Sequence, residues 1–273
     1  MEGKADLHMH TIHSDGTCST EELILRAQRA GLTSISITDH DTVNAVGEAI
    51  VFGETCGVRV IPGVELSSSH NGFDIHLLGY FVDHTNPVLL DYLTFCKTAR
   101  VRRAERIVEK LNGLRIPLRF EAVMEQAGSG AVGRAHIAHA LFEEGLTGSY
   151  DEAFDRYIGN GKPAYETTDS IDPREAIKLI AAAGGLSFIA HPGTMIDETV
   201  LRNLIRLGLD GIEVIHPSHS QRLTEHYRGI AGEYCLLESG GSDYHGAKKG
   251  APDVLGKYTI PEAAIEGMCQ RLA

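Results

Sequence analysis

The chain has 273 residues, 42% of them hydrophobic and 23% charged, which excludes a disordered or fibrous protein and allows one large domain or one domain with an insert. A formal net charge of −12 argues against a general nucleic-acid-binding surface, so no DNA-binding face is expected, although cations or a local basic patch still allow a phosphate substrate. No apolar run nears the roughly 18 residues that cross a bilayer, the start MEGKADLHMH lacks a signal peptide's apolar core, and five scattered cysteines form no C-x-x-C pair; a cytoplasmic protein with reduced thiols, no membrane and no predicted protein partner follows.

Ala5 to His10 reads as a strand. Ser19-Thr20-Glu21-Glu22 is a capping box that opens a helix through Ala30, stopped by Gly31. Thr33 to Thr38 is a strand, Thr42 to Thr55 a helix, and Val58 to Leu66 and Phe73 to Phe81 are strands. From about Pro87 to Tyr165 helical periodicity continues without a clear buried strand. Asp172-Pro173-Arg174-Glu175 then starts a helix with an N-cap, a proline at N1 and a glutamate at N3. Leu186 to Ala190, Gly211 to Ile215, Tyr234 to Glu238 and Val254 to Thr259 read as short buried strands, and a helix follows Pro261. Repeated βα units predict an α/β protein whose parallel sheet closes, or nearly closes, into a barrel. Residues 1–86 and 166–273 form that barrel in this reading, and 87–165 a helical insert.

The chemistry-bearing residues fall at strand ends. In Asp6-Leu7-His8-Met9-His10, the two imidazoles share one face of a strand, about 7 Å apart, and Asp15 follows in the next loop. Later strands run into His40, Glu65, His191, Asp243 and His245, while His76 lies inside its strand. A parallel barrel gathers such ends at one mouth, where barrel enzymes place their chemistry. His8, His10, Asp15, His40, Glu65, His76, His191, Asp243 and His245 then face one cavity. Six imidazoles and three carboxylates are too many for one ion and suit two or three divalent cations. Manganese is the first expectation, with zinc or iron also fitting mixed nitrogen and oxygen donors, and magnesium alone fitting less well. Cys18 lies close to the first motif but is not expected to ligate, because such sites favour oxygen and imidazole donors.

At these motifs the chain resembles the PHP family, named for polymerase and histidinol phosphatase. The matches are D-L-H-x-H-T-x-x-S-D-G at 6–16, T-D-H-D at 38–41, G-V-E at 63–65, I-A-H-P-G at 189–193 and G-S-D-x-H-G at 241–246, with no departure at a ligand position. The resemblance implies a distorted (β/α)7 TIM-like barrel with a trinuclear metal centre. By that likeness one ion falls to His8, His10, Glu65 and Asp243, a second to Asp15, His40 and His245, and a third to His76, His191 and a bridging Glu65. Within the family the chain is similar to the TrpH/YciV-like subgroup with a helical insert. Gly133-Arg134-Ala135-His136-Ile137-Ala138 resembles its G-R-P-H-I-A motif, with Ala135 in place of the usual proline, and Gly161-Lys162-Pro163-Ala164-Tyr165 resembles its K-P-A-Y motif. The likeness implies action on nucleoside 3′,5′-bisphosphates, such as adenosine 3′,5′-bisphosphate, and 5′–3′ trimming of short 5′-phosphorylated RNA.

The expected mechanism uses a metal-bound hydroxide and cations that clamp the phosphoryl oxygens for in-line attack. Neither a Gly-x-Ser-x-Gly nor a P-loop pattern is present. His219 is the candidate general acid, with a metal-bound water as the other. Lys97, Arg100, Arg102, Arg103 and Arg106 form a local basic cluster, for which a solvated helix face paired with Glu105 and Glu109 is the plainer reading. Guanidinium groups suit phosphate recognition, so Arg102, Arg103, Arg134 and Lys162 are assigned to a second substrate phosphate. His136 and His139 lie near Arg134 and read as structural; His13, His70, His84, His216 and His226 carry no argument beyond their identity. A histidinol phosphatase, with a carboxylate in the pocket for the substrate amine, is the alternative.

Overall fold

Residues 3–71, 73–167, 169–194, 196–246 and 253–273 are described by the computed structural model. In chain order the strands are β1 (Lys4–Met9), β2 (Ser34–Ile37), β3 (Arg59–His70), β4 (Phe73–Tyr80), β5 (Leu186–Ile189), β6 (Gly211–Ile215), β7 (Leu237–Gly240) and the short β8 (Ile260–Pro261). The helices are α1 (Thr20–Arg29), α2 (Val46–Cys56), α3 (Pro87–Gly113), α4 (Phe120–Ala127), α5 (Arg134–Glu143), α6 (Tyr150–Ala153), α7 (Pro173–Ala182), α8 (Glu198–Arg206), α9 (Gln221–Glu233) and α10 (Glu262–Leu272), with a π-helical turn at Phe154–Ile158.

The strands form one sheet in the order β7-β6-β5-β4-β3-β2-β1-β8. β1, β2 and β3 are parallel, as are β5, β6 and β7. Past β7 the chain meets β1 again: His10 N–H donates to the Tyr244 carbonyl at 2.8 Å, and Tyr244 N–H to the His8 carbonyl at 3.3 Å. The barrel therefore closes at its mouth. β4 breaks the parallel pattern by running antiparallel to both β3 and β5. Its beginning, not its end, faces the mouth, which is why His76 sits in the first half of its strand while His10, His40, His191 and Asp243 sit just past the ends of theirs.

Most local signals act as expected. The Ser19 hydroxyl caps α1 by accepting from Glu22 N–H at 3.2 Å, and Leu23, Ile24 and Ala27 form its buried face. Asp172 caps α7, with Pro173 in its first turn. Four segments differ. β3 runs on to His70, four residues past the expected end at Leu66, because it pairs antiparallel with β4 out to His70 and Phe73. α2 starts at Val46, not Thr42, because Asp41 is left-handed (φ 50°) and the Thr42 hydroxyl turns the chain by accepting from Asn44 N–H. β7 starts at Leu237 because Tyr234 caps α9 and Cys235 adopts φ 54°. Val254 to Thr259 is not a strand; Asp253 accepts from Leu255 N–H, Gly256 takes φ 70°, and only Ile260–Pro261 pairs with β1.

Helices α4 to α6 and the π-helical turn share a hydrophobic cluster with the second half of α3, including Ile107, Leu111, Val123, Ile137, Leu141 and Ile158. The first half of α3 belongs elsewhere: Leu89 and Leu93 pack in the barrel core beside Leu77, Ile177 and Ile180. The expected boundary at residue 87 thus falls before a helix that serves both bodies.

Candidate metal centre

β1 carries His8 and His10 with ring centroids 5.2 Å apart. Glu65, wholly buried at the middle of β3, stands at the centre of the mouth. Its Oε2 lies 3.2 Å from His8 Nε2, 3.3 Å from His10 Nε2 and 3.0 Å from His40 Nδ1. Its Oε1 lies 2.8 Å from His76 Nδ1 and 3.0 Å from His191 Nε2. Asp243 Oδ1 is 3.3 Å from His8 Nε2 and 3.1 Å from His10 Nε2. Asp15 reaches His245 Nε2 at 3.2 Å and His40 Nε2 at 3.8 Å. All nine predicted residues therefore meet in one place.

Among the described residues, three sets of donor atoms each fall within 4.8 Å: His8, His10, Glu65 and Asp243; His10, Asp15, His40 and His245; and His40, Glu65 and His76. The first set has the expected members. His10 also reaches the second, and His40 is shared with the third, where His191 was expected. His191 touches Glu65 from the other side of that carboxylate.

The donor set fits cations. Buried polar atoms are normally hydrogen-bonded, yet His10 Nε2, His40 Nδ1 and Asp15 Oδ1 are buried with no hydrogen-bond partner, despite carboxylate or imidazole atoms 3.0–3.3 Å away. They belong to the sets of donor atoms that lie close together. A divalent ion within such a set satisfies several at once, and mixed imidazole and carboxylate donors suit manganese, zinc or iron.

Charge follows the same plan. Burial would raise Glu65, but the imidazoles of His40, His8 and His76 hold it well below the usual carboxylate range. Burial would also raise Asp15 and Asp243; His245 and His40 pull the first down, His8 and His245 the second. Burial drives His40 down to about 3, against the pull of Glu65 and Asp15. His245 is pushed down by burial and up more strongly by Asp15 and Asp243, to about 10, so a cation at that point competes with a proton.

Residues that sequence reasoning passed over hold this arrangement. Asp39 accepts from Thr11 N–H at 2.7 Å and from the Ser14 and Thr11 hydroxyls at 2.6 Å, fixing the loop that carries Asp15. Asp6 accepts from Ser242 N–H at 2.9 Å and ties β1 to the Asp243 segment; burial raises its carboxyl to about 6. Glu213 of β6 touches both His8 and the His191 backbone. The signal was present in each case: an acid inside an apolar strand or beside a ligand. Gly16 and Gly241 complete the motifs sterically, since a Cβ on Gly16 would collide with the His10 carbonyl and one on Gly241 with the His8 backbone. Asp41, His191 and Asp243 adopt left-handed φ values of 50°, 28° and 49°, a concentration of backbone strain of the kind found at functional sites.

The basic residues separate into three groups. Arg100 is buried and consumed by Asp41 (2.7 Å), Ser67 and the Val132 carbonyl. Arg103 and Arg134 converge on Asp74 Oδ2 at 3.3 and 3.7 Å, joined by the Tyr165 hydroxyl at 3.4 Å, with the Arg134 guanidinium 5.5 Å from the Tyr165 ring. Asp74 lies two residues before His76 on β4, hence on the same face and about 7 Å away. Arg102 and Lys162 are exposed, and Arg106 pairs with Glu166 and Asp169 in place of the expected Glu105 and Glu109.

His219, the candidate general acid, has both ring nitrogens occupied. Its Nδ1 faces the Val214 carbonyl at 3.0 Å and its Nε2 accepts from Gly193 N–H at 3.0 Å, so the buried ring is neutral and both nitrogens are engaged. It braces the loop that carries His191. His216, which carried no argument in the sequence beyond its identity, follows directly on β6 and places Nε2 3.4 Å from Asp243 Oδ2.

A barrel mouth with this many converging imidazoles and carboxylates defines a metal-dependent hydrolase. The PHP domain profile matches residues 6–158. Over 250 residues the chain is 35% identical to a 5′-3′ exoribonuclease of Haemophilus influenzae, covering 90% of this chain and 91% of that one. It is 32% identical over 259 residues to a phosphoribosyl 1,2-cyclic phosphate 1,2-diphosphodiesterase of Eggerthella lenta (91% and 97% covered). It is 30% identical over 256 residues to a 3′,5′-nucleoside bisphosphate phosphatase of Chromobacterium violaceum (91% and 90% covered). The solved structure of a proposed metal-dependent phosphoesterase from Bifidobacterium adolescentis superposes with a TM-score of 0.90 at 31% identity, covering 98% of this chain and 96% of that one. The chain belongs to the PHP domain family, and it is a metal-dependent phosphoesterase of that family.

Proposed function

We propose that the enzyme hydrolyses the 3′-phosphate of nucleoside 3′,5′-bisphosphates, adenosine 3′,5′-bisphosphate among them, and trims short 5′-phosphorylated RNA by the same chemistry at a 3′-linked diester. One observation carries the reading: Arg103 and Arg134 meet at Asp74, one strand pleat from His76. A substrate with two phosphates needs a cationic pocket at that kind of spacing from the cation site. Two guanidinium groups against one carboxylate leave that pocket a net positive charge, and Tyr165 offers a ring beside it. Lys162 and Arg102 add charge at the rim.

His8, His10, Asp15, His40, Glu65, His76, His191, Asp243 and His245 would hold two or three cations, manganese first among them. Bound there, such ions supply Lewis acidity toward the phosphoryl group and make water a nucleophile near neutral pH. The chain's own residues do the rest. Arg103 and Arg134 hold the second phosphate, the buried Glu65 and the partly exposed Asp243 both contact His8 and His10, and the buried His216 lies against Asp243. The five thiols stand unpaired among the described residues, where no helix is long and apolar enough to cross a membrane, and the free thiols support a cytoplasmic setting.

The histidinol phosphatase alternative needs a free carboxylate for an amine. Asp74 is the acid in the pocket, and Arg103, Arg134 and Tyr165 already engage it. The test is turnover, with manganese present, of adenosine 3′,5′-bisphosphate, a 5′-phosphorylated oligoribonucleotide, phosphoribosyl 1,2-cyclic phosphate and histidinol phosphate. The first two should react fastest. Turnover of histidinol phosphate alone, or of the cyclic phosphate alone, would replace this reading.

A further inference from the structure

Glu213 is an acid without solvent at the middle of β6, fully buried and facing the barrel interior opposite Ser239. Its Oε1 lies 2.9 Å from His8 Nδ1, and its Oε2 accepts from the His191 backbone N–H at 2.6 Å. Among the described residues neither oxygen enters a set of converging donor atoms. A carboxylate sealed from water needs donors for its oxygens. An ionised one has no proton to give, so His8 must carry its hydrogen on Nδ1. Nε2 is then the nitrogen that a cation would take, and it is the atom facing Glu65 Oε2 at 3.2 Å and Asp243 Oδ1 at 3.3 Å.

The second contact acts on the backbone. His191 sits at φ 28°, a conformation costly for a residue with a Cβ. Its N–H is the group Glu213 holds. The ring that follows from that backbone reaches Glu65 Oε1. One carboxylate thus governs the ring state of a residue on β1 and the chain path after β5, two strands that do not pair with each other.

We propose that Glu213 is a positioning residue that selects the His8 tautomer able to take a cation and clamps the His191 backbone so that its ring faces Glu65. The inference rests on the metal reading of the cluster and is independent of the substrate. Glu213→Gln tests it with little change of shape. An amide has one oxygen, so one of the two donors loses its acceptor. If the amide NH₂ faces His8, the ring is driven to carry its proton on Nε2, where it blocks a cation.

The first measurement is nitrogen-15 NMR of the wild-type, metal-stripped protein, with His8 assigned by loss of its signals in His8→Asn. The proton is expected on Nδ1. The second is calorimetric titration with Zn²⁺ of stripped wild type and Glu213→Gln, their folds compared by circular dichroism. The variant should bind its tightest Zn²⁺ roughly 10–100-fold more weakly. A wild-type His8 that carries its proton on Nε2 and none on Nδ1, or equal Zn²⁺ affinity in both proteins, overturns the proposal. Should Glu213→Gln fail to fold, the wild-type tautomer decides. A wild type that takes up no Zn²⁺ defeats the metal reading and this proposal with it, a result distinct from equal binding by both.

Discussion

Arg100 of α3 donates through Nε to the carboxylate of Asp41 at 2.7 Å, and Asp41 is the residue that follows His40. The pair is nearly sealed from solvent, with side chains 7% and 1% exposed. Asp41 in turn accepts from Ser67 N–H, two residues beyond Glu65. α3 is thereby pinned to the segments that carry His40 and Glu65.

Removing one partner of such a buried pair strands the other charge. Arg100→Ala should destabilise the protein by about 3–5 kcal/mol, measured by urea unfolding. Arg100→Met combined with Asp41→Asn should recover much of that loss. Equal destabilisation by the single and double variants would show that the ion pair is not what Arg100 contributes.

Cations that bind only the folded cluster must stabilise it. Chelation should abolish activity and lower the melting temperature, and manganese should restore both. At a free concentration about 100 times its Kd, one bound ion adds about 2.7 kcal/mol. His40→Ala and Asp243→Ala should lose activity and most of this metal-dependent shift.

Arg134→Ala should raise KM for a nucleoside bisphosphate while leaving turnover of a simple aryl monophosphate nearly intact. A hydrogen bond to a charged group contributes about 1.5–3 kcal/mol, so the expected rise is roughly 10–100-fold. Lys162→Ala and Arg102→Ala, at exposed positions, should have smaller effects. Equal losses on both substrates would place Arg134 in a structural role.

His219→Gln retains an acceptor for Gly193 N–H. Its rate should fall by less than the roughly 10²–10⁴ that a lost proton donor costs, and the alkaline limb of the pH–rate profile should not move. A collapsed alkaline limb would return His219 to the role of general acid.

Asp172 caps α7 and accepts from Arg174, which together with His70 hold its carboxyl at about 2, below the ordinary 3.8. A depressed acid stabilises the fold above its unfolded pKa, and that stability is lost as pH falls through the folded value. The stability gap between wild type and Asp172→Asn should therefore be full above pH 4 and shrink from there toward pH 2. Urea midpoints across that range measure it; a gap that widens on acidification would contradict the assignment.

The nine clustered residues were legible because strand periodicity and strand ends are local properties, and a barrel needs only those to gather its ends. What was not legible depended on direction and partners. Nothing local in Phe73 to Tyr80 says that this strand runs against its neighbours, so His76 looked like an exception. Arg103 and Arg134 read as free cations because Asp74 is distant from both in the chain. His219 read as an acid because neither the Gly193 amide nor the Val214 carbonyl can be paired with it from spacing. Glu213 was visible as a charge inside an apolar run, and only the fold shows that it faces His8.

The reversal of β4 also fixes what α3 must do. A strand that starts at the mouth ends at the barrel's base, so the chain leaves Tyr80 on the wrong side of the molecule to build anything over the site. α3 makes the return journey, and its 27 residues span about 40 Å. It acts as a measuring rod. Leu89 and Leu93 grip the barrel wall at one end, Arg100 and Arg103 dock at the level of the mouth, and Ile107 and Leu111 hold up the roof. Because one unbroken helix links these levels, height and rotation are locked together. Adding or deleting a single residue would swing the guanidinium groups by about 100° and carry Arg100 and Arg103 away from Asp41 and Asp74.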